Sequence, residues 1–588
     1  MKNLLHKIFS LGILLFSLWS LSHAAFFDRP YYTRDEIPLF FTDTGTFITV
    51  SYNGRPFDPF EGSSTIPLAP CKGDKEGLKR AYIPLGFNAP RGVYTVLLDG
   101  DEHRKYHFLV TRRPLQPLPE PLFMWTVENG GRYDHLEADF LREPSFSAEH
   151  IDRWIERTGF NTLYFMIGQT NSSLKSVDEG NPWIPGPLKT WRGFARHRQA
   201  SYKGGYIGSY LSFGNGNRKL KQYRFSKDFD DDKKRIFTNK FISITDSQRE
   251  ADILKLAKEL DESEDIDFVG LDYIRMGPGG FEHYQEFADI FGITLPGGEE
   301  DEKIAYVGSH VRLGTIPDLR EKWRYFRAYK TAQVIRRVSK AVRKPLFVFT
   351  LGWEQGHSHG QDPAMFSDAG ADVIMVMFYE ATYLQHDQMM ESWRDYLKEA
   401  GPLQVLAGQD VDVVLNDAAD PARQGPEEML RRYEDNIRVL YERGQLAGFF
   451  LHDLVRTFNG RILPHYSEEW LFAAGTVRQR FLEKRGKAPV SSSLREKKGG
   501  FIWSLHNNTD QKALIGFMDI FPDLWKPFLL DGEEIPPKGT LEIHLPYRYS
   551  NTRLKRNYIS VYARLSDGTR ITDMLYYPVP YKGGKGDE

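Results

Sequence analysis

From Pro121 onward the chain alternates: short apolar runs of strand length are separated by longer stretches of helical periodicity. Strand, helix, strand, repeated, satisfies its backbone as a parallel sheet covered by helices. Eight strand candidates can be counted, at 122–127, 160–167, 206–213, 267–276, 346–351, 371–378, 403–407 and 446–451. Helices are expected between them. One starts near Ser147 with Ile151, Trp154 and Ile155 on one face, and one opens at Thr245-Asp246-Ser247-Gln248 and runs to Leu260. A third covers 317–343, with Trp323, Phe326, Val334, Ile335 and Val338 apolar and its many Arg and Lys read as a solvated outer face. A fourth covers 426–443. Eight such units in ~350 residues match a TIM barrel with long loops.

The two ends of the chain follow a different period. Residues 25–115 alternate at period two, as in Phe47-Ile48-Thr49-Val50-Ser51-Tyr52 before the Asn53-Gly54 turn. Pro114, Pro117, Pro119 and Pro121 then make a stiff linker. Beta patterning returns after about 495. The expected fold is therefore α/β. A central (β/α)8 TIM barrel at 121–485 lies between an N-terminal β-sandwich at 25–115 and a C-terminal β-sandwich at 495–582.

Residues 1–24 read as a signal peptide. Lys2, His6 and Lys7 form a basic start, 8–21 an apolar core, and Ser22-His23-Ala24 a small-residue cleavage site. The run is short for a spanning helix. The expectation is a secreted or periplasmic protein with no transmembrane anchor after cleavage. A formal charge of −2 gives no basic footprint for nucleic acid. A single cysteine, Cys71, rules out an internal disulfide and a Cys-based zinc site. The oligomeric state stays open.

In a TIM barrel the active site sits at the C-terminal ends of the strands. Here those ends are acidic. The fourth ends in Asp272, the fifth in Glu354, the sixth in Glu380, the seventh in Asp410 and Asp412, and the eighth in His452 and Asp453. Tyr273, Trp353 and Tyr379 stand beside them, and Trp125 and Arg132 lie at and after the end of the first; with Arg275, Asp410, Asp412, His452 and Asp453 they are expected to contact the substrate. Gathered carboxylates repel, so a purely structural barrel has no use for them. Carboxylates with aromatic platforms are what glycoside hydrolysis needs: one acid protonates the leaving oxygen, and another attacks or activates water. Asp272 is read as nucleophile or base with Glu354 as general acid, Glu380 as the competing acid, and Asp410 or Asp412 behind them. Arg275 is three residues from Asp272, so the two meet only if the strand has ended or bent by then.

The stretch Gly270-Leu271-Asp272-Tyr273-Ile274-Arg275 resembles the "DYIR" signature of the glycosyl-hydrolase-like TIM barrels of bacterial envelope proteins, the YngK-like families. Gly159-Phe160-Asn161-Thr162-Leu163-Tyr164 is similar to their second-strand segment. The resemblance covers 121–470 and implies cleavage of a polysaccharide or glycan strand. The chain departs from the pattern at Met276-Gly277 and at Tyr379-Glu380. The alternative is a carbohydrate-binding or polysaccharide-handling protein on a barrel without catalysis. His357-Ser358-His359 with Asp362 has a metal-like look but lacks strand-placed partners, and Asp228-Phe229-Asp230-Asp231-Asp232 reads as a solvated acidic loop. Neither metal nor cofactor is expected, and there is no phosphate loop, Ser elbow or nucleotide fingerprint.

Overall fold

The computed structural model describes residues 25–127, 148–168, 200–211, 222–411 and 425–577, apart from 61–63, 72, 278, 317, 380–381, 453, 455–456, 458–464, 466, 499, 522–531 and 547–556. The expected signal peptide at 1–24 lies outside them. Among the described residues, no helix is long and apolar enough to cross a membrane.

Eight parallel strands close a barrel in chain order. They are β1 Leu122–Val127, β2 Thr162–Gly168, β3 Tyr202–Gly208, β4 Phe268–Asp272, β5 Leu346–Leu351, β6 Val373–Met377, β7 Val405–Asp410 and β8 Leu446–His452. The seam pairs Leu122 with Gly448. Gly448 has φ +151°, and a Cβ there would lie 1.8 Å from the Leu122 carbonyl oxygen, so the ring closes only over glycine.

Inward side chains fill the barrel. Met124, Tyr164, Tyr206, Phe268, Phe347, Phe349, Met375 and Phe450 belong to one core, with the Tyr164 and Tyr206 ring centroids 5.0 Å apart and Tyr206 and Phe349 5.2 Å apart. The outward residues of the same strands, such as Leu163, Val269, Leu271, Val348 and Ile374, pack with the helices. Both faces of each strand are buried, hence the continuous apolar runs.

One strand sits away from its expected place. β3 spans Tyr202–Gly208, starting four residues earlier than the expected 206–213. Its start carries Gly204 and Gly205, and glycine is a poor strand former. Here it is required: a Cβ on Gly204 would lie 2.2 Å from the Tyr164 ring, and one on Gly205 2.4 Å from Ile167.

The covering helices are α1 Ala148–Thr158, α2 Ser247–Glu262, α3 Leu319–Ala341, α4 Pro363–Ala369, α5 Tyr383–Ala400, α6 Pro426–Asn436 and α7 Ser467–Lys484. Asp246 caps α2 by accepting the Arg249 N–H at 2.7 Å. The cations of α3 are not all solvated, contrary to expectation. Arg327 is buried and donates to carbonyls of Ser358, Met276 and Gly277, and Arg336 pairs with buried Asp35 of the N-terminal region. The acidic run also differs. Phe225–Asp230 is one strand of a hairpin with Arg235–Ile242, and Asp228 is buried against Arg312. An arginine partner is what makes burial of that carboxylate tolerable.

The flanking regions are β-rich. At the N-terminus a four-stranded and a six-stranded sheet share a core containing Phe40, Ile48, Val50, Tyr94 and Phe108. This region docks on the barrel through Arg34, which donates to the carbonyls of Ala400 and Glu399, and through Phe87, stacked 3.8 Å from the His357 ring. At the C-terminus a three-stranded and a four-stranded sheet share Trp503, Leu505, Ile515 and Val561, and the first strand already begins at Val490. It is tied to α1 by Arg157–Asp519 at 3.0 Å and to α7 by the Tyr576 hydroxyl on Glu469 at 2.9 Å.

Candidate active site

Inward positions along β4 are Phe268, Gly270 and Asp272. Gly270 has a steric reason: its Cβ would fall 1.6 Å from the Tyr164 hydroxyl oxygen. The phenol of Tyr164 thus comes up beneath Asp272. Burial and the Asp272 charge push its pKa well above the usual phenol value, so it stays protonated. Asp272 is almost wholly buried, and its Oδ1 accepts the Tyr273 backbone N–H at 2.6 Å.

The strand ends there. Tyr273 takes a left-handed φ of 48°, which turns the chain and brings the Arg275 guanidinium 4.8 Å over the Tyr273 ring. The bend that the three-residue spacing required is therefore present. The turn is braced on several sides. Gln361 Nε2 donates to Ile274 O at 3.2 Å, Met276 N–H donates to His359 O at 3.1 Å, and Arg327 Nη2 donates to Met276 O at 2.9 Å. Burial, then the charges of Arg275 and Arg327, push the His359 pKa down to about 4, so this imidazole is neutral near pH 7.

A second group gathers at the C-terminal ends of β6, β7, β8 and β1. Asp410 and His452 face inward and are buried, with Asp410 Oδ2 and His452 Nε2 3.8 Å apart. Thr126 Oγ1 lies 2.9 Å from His452 Nδ1, and Tyr379 lies parallel to the imidazole at 5.5 Å, with 1° between the planes. One ring nitrogen thus faces a hydroxyl and the other a carboxylate, which fixes the orientation of the imidazole. Asp272 stands three strands round the ring from Asp410. Among the described residues the mouth therefore holds two buried carboxylates, an imidazole and aromatic faces, groups able to donate and accept protons on a bound sugar.

Other expected residues stand elsewhere. Glu354 is half-buried, with φ 46°, and its carboxylate pairs with Arg324 of α3 at 3.3 Å, which draws it out toward the helix layer. Trp353 beside it is 37% exposed. Trp125 corrects the reading of a sugar-facing ring: it turns outward, fully buried, and packs on Phe160 at 5.2 Å. Its neighbour Thr126 is the inward residue. Glu380, Asp412, Asp453 and Arg132 lie outside the described residues. His357 and Asp362 form a structural pair at 2.9 Å, since Asp362 also caps α4 through the Met365 N–H at 2.7 Å. His386, Asp387 and Asp435 bring ligand atoms within 4.8 Å of one another, but Arg431 already bonds both carboxylates, at 3.1 and 2.7 Å.

Thr126 and Tyr164 were not singled out by the sequence. Their only signal is inward parity, one and two strands from the seam.

Together these features define an eight-stranded parallel barrel with an acidic, aromatic-lined C-terminal mouth. No family model and no curated protein matches the chain. Solved structures similar to it include glycoside hydrolases. The glycoside hydrolase domain of PgaB (BpsB) from Bordetella bronchiseptica is 11% identical with a TM-score of 0.40, covering 60% of this chain and 99% of that one. A GH30 endoxylanase from Clostridium papyrosolvens is 8% identical with a TM-score of 0.33, covering 74% and 95%. A GH18 chitinase from Cycas revoluta is 13% identical with a TM-score of 0.31, covering 59% and 99%. At these levels the likenesses assign no activity.

Proposed function

We propose that the chain is an exported glycoside hydrolase acting on a polysaccharide or glycan strand at the barrel mouth. One observation carries this reading: buried Asp272 and buried Asp410, the latter beside His452 and Tyr379, both point inward at the C-terminal ends of their strands. Asp272 serves as nucleophile or base. Asp410, oriented toward His452, supplies the second carboxylate among the described residues, with Glu380 as the competing acid. Trp353 and Tyr273 offer ring faces to sugar. The "DYIR"-like stretch, with its resemblance to the YngK-like envelope families, supports the same reading. The leader-like residues 1–24 support export.

The test is release of reducing ends from a panel of bacterial and plant glycans by the wild-type chain and by Asp272→Asn. Loss of turnover in the variant, with an unchanged melting temperature, is the expected result. Unchanged turnover removes Asp272 from the chemistry.

The Glu354–Arg324 pair favours a second reading, a barrel that holds glycan without cutting it. It predicts saturable glycan binding with no reducing ends released, and turnover on any glycan ends it.

A further inference from the structure

The opposite end of the barrel holds an open cavity of about 850 Å³, lined by the 118–121 linker, the starts of β1 and β8, the end of α7 and the turn at 568–570 of the C-terminal region. Its charged lining is one-sided. Arg478, Arg485, Lys487 and Arg570 face it, and Glu120 is the one carboxylate among the lining residues. Glu120 interacts both with the Tyr202 hydroxyl and with Arg478.

Arg478 is the built part of this site. Its Nη1 donates to the Arg570 carbonyl at 3.3 Å, its guanidinium lies 5.5 Å over the Phe123 ring, and its Nε is buried without a hydrogen-bond partner. The backbone makes room for it: at Gly159, with φ +69°, a Cβ would sit 2.8 Å from three guanidinium atoms. Burial, then the charge of Arg570, pushes the Arg478 pKa down to about 10, against the opposing pull of Glu120. Arg485 and Lys487 are exposed at the rim, and among the described residues neither meets a carboxylate. With four cations and one carboxylate the lining is net positive, and a concave surface of one sign draws the opposite charge.

We propose that this basal cavity binds an anionic group, carboxylate, phosphate or sulfate, carried on a sugar. Guanidinium forks match all three oxyanions in bidentate geometry. The volume lies within the ~300–1,000 Å³ of small-ligand sites. The sugar half of the proposal rests on the glycan reading above, whereas the anion half does not.

Calorimetric titration of the full chain with tetragalacturonate, neutral chitotetraose and inorganic phosphate tests it. Tetragalacturonate is expected to bind one saturable site, to weaken as salt is raised, and to bind equally well to Asp272→Asn. Affinity should fall roughly tenfold or more in Arg478→Met and in the double variant Arg485→Ala/Lys487→Ala. The double variant changes only exposed residues and carries the test if Arg478→Met does not fold. Absence of saturable binding by any anion overturns the proposal, as does binding that survives both variants. Binding that is lost in Asp272→Asn or blocked by chitotetraose belongs to the mouth and overturns it too. Binding of phosphate with none of tetragalacturonate overturns the sugar half alone.

Discussion

The two ends of this barrel are built from the same eight strands and carry opposite charge. At the C-terminal mouth, Asp272 and Asp410 point inward beside His452 and Tyr379. At the base, Arg478, Arg485, Lys487 and Arg570 line a cavity in which Glu120 is the one carboxylate among the lining residues. Between them lies a plug of aromatic rings, Tyr164, Tyr206, Phe347 and Phe349. The plug teaches why both ends are able to differ. The strands supply a rigid frame, the filled interior isolates one end from the other, and each end is decorated by whatever loops and neighbouring regions reach it. The mouth is set by strand ends. The base is set by where α7, the linker and the C-terminal region happen to meet.

The comparison is broken most strongly at the mouth. Asp272→Asn should lower kcat on a cleaved glycan by ~10³-fold, and Asp410→Asn should cost more than Glu354→Gln, because Glu354 is turned toward Arg324. Steady-state kinetics with the three variants checks the order, and an equal loss in Glu354→Gln would return the acid to that residue. Next comes the plug. Gly270→Ala forces a methyl into the Tyr164 hydroxyl and should destabilise the fold by ~3 kcal/mol, read by urea denaturation. A neutral result would mean that the rings beneath Asp272 give way easily.

A smaller effect separates the ends by pH. His359, whose carbonyl holds Met276, is neutral in the fold with a pKa of about 4. The unfolded chain takes up that proton near pH 6.5. Its contribution is therefore full above pH 6.5 and drains away as pH falls toward 4, by up to ~3 kcal/mol. Buried His283, at about 3, acts in the same direction. Urea denaturation at pH 7 and pH 5 should show wild type losing more than His359→Gln, and parallel losses would remove His359 from the acid response. Smallest is Trp353→Ala, which should raise KM by ~2–10-fold, the worth of one ring contact, with kcat moving less. A change confined to kcat would place Trp353 outside sugar binding.

The sequence carried much of the frame. Seven of the eight strands lie close to their apolar runs, because a strand buried on both faces must be apolar throughout. Asp272 stood out for the same reason, as a carboxylate where the apolar run stops. That uniformity also hid things. A strand apolar on both faces does not say which face is the barrel interior, so Trp125 looked like a rim aromatic while Thr126 carried the inward position. The glycines of β3 masked a strand whose need for glycine lies in Tyr164, on a different strand.

By itself the chain determined the alternation, the ring of strands and the acids that end them, since these depend on local apolar period and on what breaks it. Only the tertiary structure decided direction and company. It set Glu354 outward on Arg324, Asp410 inward on His452, and Arg478 beside Arg570 across 92 residues of sequence. Side-chain direction at a strand end depends on the turn that follows, and a charge cluster depends on distant segments meeting. Neither is written in the spacing of neighbouring residues.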